Sequence, residues 1–214
     1  MKIEGSRLRL YAVTDRAWAA DADALLAQVA AAIDGGAGIV QLREKHLAHD
    51  AFLEEARRFV ALCREKGAVS IVNDDVDIAL ASGADGVHVG QEDLAAGRAR
   101  EALGPDKIIG VSAHSVAEAL AARAAGADYL GVGAAFATGT KADARPISRE
   151  TIRAVTSAVD IPAVAIGGIT RENLTELSGC GLQGVAVVSA LFGRPDVRAA
   201  AAELLALSEK MVRT

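Results

Sequence analysis

Residues 72–93 read VNDDVDIALASGADGVHVGQED, and here two apolar runs each end in acid. Val69–Val72 gives way to Asn73, Asp74 and Asp75, and Val87–Val89 gives way to Gly90, Gln91, Glu92 and Asp93. Cations stand in similar places: QLREK sets Gln41, Arg43 and Lys45 at the end of another run, and TGTK carries Thr138, Thr140 and Lys141. Two readings of this charge are open. The cations and carboxylates neutralise one another as a structural ion-pair network, or Asp74 and Asp93 hold Mg²⁺ while the cations grip a diphosphate. One or two carboxylates with phosphate oxygens completing the shell suit Mg²⁺ well. Asp74 and Asp93 end consecutive strands, which keeps them within roughly two strand spacings of about 5 Å. Asp75 and Glu92 read instead as caps of the helices that follow.

A different chemistry is written later in the chain. Gly167-Gly168 and Val188-Ser189 each follow an apolar run near the C-terminus. Glycine lets backbone N–H groups approach an anion closely, and a following helix N-terminus adds partial positive charge. A phosphate site is expected there. The competing reading is that the glycine pair only makes a tight turn into a helix capped by Thr170.

These residues need elements to hold them. Short apolar runs recur at 8–14, 38–43, 69–73, 86–90, 108–112, 129–133, 161–167 and 184–189. They are continuous rather than alternating, as strands buried on both faces require. Helical spacing fills the gaps, for example over 23–33 and 51–66, with cap signals at Ser148 (Glu150 close behind) and at Thr170 before 171–177. The joints DGGAGIVQL (34–42), ASGADGVHV (81–89), AAGADYLGV (124–132) and SGCGLQGVAV (178–187) resemble one another, a weak internal repeat of a βα unit. Eight strands alternating with eight helices predict an α/β fold, a single (β/α)8 TIM barrel spanning 1–214 as one catalytic domain. A doubly wound open sheet ranks second, because no G-x-G-x-x-G follows the first strand. In such a barrel the C-terminal strand ends form the active-site rim, and the loops after strands seven and eight often bind phosphate.

Composition narrows the function. The chain is 51% hydrophobic but 3% aromatic, so its core is built of Ala, Val, Leu and Ile. A net charge of −5 with no basic block argues against nucleic acid as a partner. Cys63 and Cys180 form no CxxC pair or disulfide framework and read, with Trp18, as packing or surface-adjacent residues. Met1–Ser6 shows no signal-peptide pattern and no run reaches membrane-span length, so a soluble cytoplasmic protein is expected, with homo-oligomerisation left open.

Taken together, YAVTDR (11–16), VQLREK (40–45), VNDDVDIAL (72–80), ADGVHVGQED (84–93), GVSAHS (110–115), TGTK (138–141), IGGI (166–169) and VVSA (187–190) resemble the thiamine-phosphate synthase family, in that family's order and over nearly the whole chain. VQLREK, NDD and HVGQED are specific only in combination. The resemblance implies a transferase that joins 4-amino-2-methyl-5-hydroxymethylpyrimidine diphosphate to a methylthiazole ethyl phosphate (or its carboxylated form), giving thiamine phosphate and diphosphate. It implies that Gln41, Arg43, Lys45, Asn73, Ser112 and Lys141 contact the pyrimidine diphosphate, with Arg43, Lys45, Ser112 and Lys141 acting in catalysis. Asp74 and Asp93 are implied as Mg²⁺ ligands. Thr138, Thr140, Gly168, Val188 and Ser189 are implied to hold the thiazole phosphate. The partners are thus two phosphorylated small molecules. Diphosphate would leave to give a pyrimidine carbocation, stabilised by the ring amine and captured by the thiazole nitrogen. Such chemistry needs charge neutralisation and positioning rather than a protein nucleophile.

The sixth-strand segment GVGAAFATGTK (131–141) departs from the family's usual G-P-I-Y/F-P-T pattern, with Ala134 and Ala137 in place of Pro. That removes a φ constraint and is expected to loosen the loop. His114 reads as an early helix residue packing under the rim, with proton transfer as the rival role. His88, mid-strand, reads as a satisfied buried histidine. Two alternatives to the synthase remain: a thiazole tautomerase of the related barrel family, which needs no Mg²⁺–diphosphate apparatus, and a non-catalytic barrel that binds thiazole phosphate.

Overall fold

Each apolar run becomes a parallel strand in the computed structural model, which describes residues 3–90, 95–139 and 145–213. The strands are β1 (Leu10–Val13), β2 (Ile39–Leu42), β3 (Val69–Asn73), β4 (Gly86–Val89), β5 (Ile108–Ala113), β6 (Tyr129–Gly133), β7 (Ala163–Ile166) and β8 (Gly184–Val187). They pair in chain order, and β8 returns to β1 through Leu10↔Val185 and Tyr11↔Ala186, so the sheet closes into a (β/α)8 barrel. Around it lie α1 (Ala22–Asp34), α2 (His49–Lys66), α3 (Val76–Ser82), α4 (Ala95–Leu103), α5 (Val116–Ala124), α6 (Arg149–Ala158), α7 (Ser189–Phe192) and α8 (Val197–Arg213).

Successive strand residues face opposite sides of the sheet. Leu10, Ala12, Val40, Leu42, Val72 and Val87 pack outward against the helices, while Tyr11, Val13, Ile39, Ile71, Ile108 and Tyr129 fill the barrel. Both faces are buried, which is why the strands read as unbroken apolar runs. The helices start where side chains satisfy orphan amides: Asp21 accepts from Ala24 N at 2.8 Å, Asp75 from Ile78 N at 2.8 Å, and Ser148 from Thr151 N at 3.1 Å. Asp75 is therefore the cap expected of it; Glu92 lies outside the described residues. The repeated joint is one repeated helix ending: Ala37, Ala84 and Ala127 each donate to the carbonyl five residues back at 3.0 Å, past a glycine with positive φ.

Two segments differ from the sequence reading. Leu8 and Arg9, expected in the first strand, belong to a 3-10 helix over Gly5–Arg9. The turn folds Leu8 under the barrel, where it is fully buried with the interior cluster of Ile39, Ile71 and Ile108. The helix expected over 171–177 is instead a turn followed by a 3-10 helix at Leu174–Leu177. Asn173 is the cause: its side chain accepts from Thr170 N at 2.8 Å and donates to Gly168 O at 2.9 Å, bonds that compete with a helical ladder.

Both cysteines are free and buried. Burial, with nearby Asp85 adding to it, pushes the Cys63 thiol up to about 12. Iodoacetamide at about pH 8 is therefore expected to leave Cys63 unmodified in the native protein and to label it only in denaturant. Rapid native labelling at Cys63, read by peptide mass spectrometry, would contradict this. No helix among the described residues is long and apolar enough to cross a membrane.

Candidate active site

The C-terminal strand ends surround one cavity. It is lined from the first half of the barrel by Gln41, Arg43, Lys45, Asn73 and Asp74, and from the second half by Ser112, Thr138, Gly167, Gly168, Val188 and Ser189. Every described residue singled out in the sequence for substrate or metal thus meets at a single cavity. Asp93, Thr140 and Lys141 lie outside the described residues.

The cationic side is built by the loop after β2. Glu44 turns away from the cavity and accepts from Arg16 at 2.6 Å, and the same guanidinium reaches Glu55 on α2 at 2.6 Å. Both carboxylates are buried, and burial pushes Glu44 above the ordinary carboxylate range against the opposing pull of Arg16. With Glu44 anchored, its neighbours Arg43 and Lys45 are left to line the cavity. Thr14 Oγ1 accepts from Arg43 N at 3.0 Å and fixes the start of the loop. Sequence reading missed this triad, although the R-E-K alternation, with an acid between two rim cations, was its visible trace.

Asp74 is the one non-glycine residue with positive φ (63°) among those described. Its backbone N donates to His88 O at 2.8 Å and Asp75 N donates to Asn73 O at 2.8 Å, which holds the turn. Left-handed backbone at a residue other than glycine costs energy and concentrates at functional sites. Asn73 Nδ2 donates to Asp74 Oδ2 at 2.6 Å. Among the described residues Asp74 and Lys45 enter no ion pair, and Arg43 pairs with Asp15 at 3.6 Å. The ion-pair network that competed with the metal reading therefore does not engage Asp74 in the described part of the rim. Among the described residues this exposed, cavity-lining carboxylate is hydrogen-bonded only to an amide, and its chemistry would suit a Mg²⁺ ligand.

On the opposite side, Gly167 and Gly168 have φ of 96° and 64°. A Cβ on Gly167 would lie 2.6 Å from Ala134 Cβ, and one on Gly168 would lie 2.3 Å from Ala137 O. The glycine pair therefore admits the loop after β6. Ala135 N donates to Ile166 O at 2.8 Å, Phe136 N to Gly167 O at 3.0 Å, and Ile147 N to Ala134 O at 2.8 Å. The loop's first residues are thus bonded to the end of β7 without the proline constraint whose loss was expected to loosen them. Of the two expectations for Gly167-Gly168, the tight turn is what the backbone shows, and the pair also lines the cavity. The helix dipole expected behind it is weaker than supposed, since a 3-10 turn follows β7 and α7 is a single turn. An anion bound here would have to be held by backbone N–H groups and Ser189.

His114 is not in α5. It precedes the cap Ser115, is half-exposed at the cavity, and its N and Nδ1 both face Glu118 Oε2, at 2.7 and 3.3 Å. His88 is buried as expected, with Nδ1 3.0 Å from Tyr129 OH and Nε2 3.1 Å from Ser112 Oγ.

The geometry agrees with comparison to known proteins. A family model described as thiamine monophosphate synthase matches residues 10–191. The chain belongs to the thiamine monophosphate synthase family. It is 50% identical over 200 residues to the thiamine-phosphate synthase of Chloroflexus aurantiacus, covering 93% of this chain and 92% of that one. The corresponding enzyme of Moorella thermoacetica is 52% identical over 177 residues, covering 82% and 84%. Among solved structures, the thiamine phosphate pyrophosphorylase of Pyrococcus furiosus superposes with a TM-score of 0.88 at 41% identity, covering 97% of this chain and 98% of that one. As a member of this family, the chain carries its fold over nearly its full length.

Proposed function

We propose that this chain is a cytoplasmic, single-domain thiamine-phosphate synthase that joins the pyrimidine diphosphate to the thiazole phosphate and releases diphosphate. One observation carries the reading: a single cavity has two polar sides, Arg43 and Lys45 with Asn73 and Asp74 on one, and Gly167 and Gly168 with Val188 and Ser189 on the other. They are separated around the rim by β1 one way and by β4 to β6 the other. Two phosphorylated substrates, one a diphosphate and one a monophosphate, fit that division, and the names of the relatives agree with it.

In this reading Arg43 and Lys45, with Lys141, hold the leaving diphosphate and offset the charge that develops as its carbon–oxygen bond breaks. Mg²⁺, held by Asp74 with Asp93, would supply further charge neutralisation on the diphosphate when bound. Gln41 orients the pyrimidine end, Asn73 contacts the diphosphate, and Ser112 sits against the pyrimidine and its departing diphosphate. Gly168, Val188 and Ser189, with Thr138 and Thr140, fix the thiazole phosphate so that its ring nitrogen faces the cation, a positioning task. No nucleophile–base pair is required.

The test is to incubate the protein with both substrates, with Mg²⁺ and with EDTA, and to measure thiamine phosphate and diphosphate. Product in equal amounts should appear only with Mg²⁺. Undiminished product in EDTA removes the metal assignment. Absence of product in every condition favours the tautomerase, which would isomerise the thiazole phosphate alone, or the binding barrel.

A further inference from the structure

A line of buried hydrogen bonds crosses the barrel interior beneath the cavity. Gln41 Nε2 donates to Tyr11 OH at 2.6 Å, Tyr11 OH meets Tyr129 OH at 2.7 Å, Tyr129 OH meets His88 Nδ1 at 3.0 Å, and His88 Nε2 meets Ser112 Oγ at 3.1 Å. The four members other than Ser112 are each no more than 8% exposed. Gln41 and Ser112, at the two ends, line the cavity, and so does His88.

The surrounding strands make room for this line. His88 on β4, Gly110 on β5 and Tyr129 on β6 stand in register side by side. A Cβ on Gly110 would lie 2.1 Å from Tyr129 Cζ and 2.5 Å from His88 Nδ1. Only the missing side chain between them lets the ring of Tyr129 reach His88 across a whole strand. Gly131, in register with Ser112, leaves similar space beside the imidazole, with an added Cβ 3.1 Å from His88 Cε1.

Protons in such a line have a direction. Burial raises both phenols well above their ordinary range, so each keeps its one proton to donate. With the Gln41 amide nitrogen donating to Tyr11, every hydroxyl proton in the line finds an acceptor when Tyr11 donates to Tyr129 and Tyr129 to His88 Nδ1. A neutral His88 then carries its proton on Nε2 and donates it to Ser112 Oγ. The hydroxyl proton of Ser112 is left to point into the cavity. In the reverse polarity Ser112 would donate to His88 and offer the cavity only lone pairs, which an anion repels.

We propose that His88 and Tyr129 are positioning residues: through the His88 tautomer, the buried line turns Ser112 into a hydrogen-bond donor aimed at the leaving diphosphate. At the other end the same polarity leaves the Gln41 carbonyl as an acceptor for the amine of the pyrimidine. The inference rests on the diphosphate reading of the cavity for its purpose, but not for its geometry.

Two measurements test it. In the wild-type protein labelled with 15N-histidine, and assigned by comparison with His88→Gln, the His88 resonances should show a protonated Nε2 and a bare Nδ1. A proton on Nδ1 would overturn the proposed polarity, whether or not the protein proves to be a synthase. In kinetics, Tyr129→Phe keeps the ring but removes the link, and kcat should fall on the order of 10-fold with KM for the thiazole phosphate unchanged. His88→Gln, which can place an amide N–H near the Nε2 position, should retain more kcat than His88→Asn, which cannot reach Ser112. Equal losses in the two His88 variants, or a folded Tyr129→Phe with wild-type kcat, would overturn the role. Loss of synthase activity in the wild type itself would instead refute the function proposed above, with the tautomer measurement still standing.

Discussion

Replacing Asp74 by Asn is expected to lower turnover on the order of 10²-fold or more, the usual cost of removing a preorganised electrostatic group. Asn is the sharper substitution because it tolerates the left-handed backbone that Asp74 adopts at φ 63°. Ala at the same φ adds a backbone cost of roughly 1 kcal/mol or more. Asp74→Asn and Asp74→Ala should therefore lose similar activity, while only Asp74→Ala shows a lowered melting temperature. Steady-state rates across a Mg²⁺ titration provide the check. Near-normal rates for either variant at saturating Mg²⁺ would rule out the ligand role. Equal melting temperatures would show that the turn is held by the bonds from Asp74 N to His88 O and from Asp75 N to Asn73 O, whatever side chain it carries.

Replacing Gly168 by Ala is expected to weaken the other side of the cavity. The new methyl would lie 2.3 Å from Ala137 O and 2.8 Å from Phe136 C. These are backbone atoms, so no side-chain rotation relieves the contact, and the segment leading into Thr138 must move. A displacement of about 1 Å in a positioning element can cost on the order of 10²-fold, and this loss should fall on kcat/KM for the thiazole phosphate. The KM for the pyrimidine diphosphate should hold. The positive φ adds a stability cost of roughly 1–3 kcal/mol, visible in urea melts. Gly139→Ala is the control, since an added Cβ there meets no heavy atom of the described residues within 4 Å. An unchanged KM and rate for the thiazole phosphate in Gly168→Ala would remove that sector from the site.

The two variants differ in how their residues became visible. Asp74 stands in the string NDD, where an acid at the end of an apolar run is conspicuous in the sequence, yet its strained backbone is not written there. Gly168 is conspicuous as half of a glycine pair, but the reason for the glycine, the loop pressed against it from Phe136 and Ala137, comes from a remote part of the chain. The helix expected over 171–177 fails for a related reason. Its spacing and its Thr170 cap are sound locally, but the side chain of Asn173 ties the chain back to Gly168 and Thr170 instead.

The sequence by itself determined the order and number of the strands, their burial on both faces, and the described residues on the rim. Those features follow from local patterns: short continuous apolar runs, capping residues and positive-φ glycines at helix ends, each a matter of a few neighbouring positions. Only the tertiary structure decided which side chains meet. Arg16 joins Glu44 and Glu55 across 28 and 39 residues, and Tyr11 meets Tyr129 across 118. Such contacts depend on barrel closure and on missing side chains at Gly110 and Gly131. No spacing along the chain encodes them, because each partner's place is fixed by a different strand.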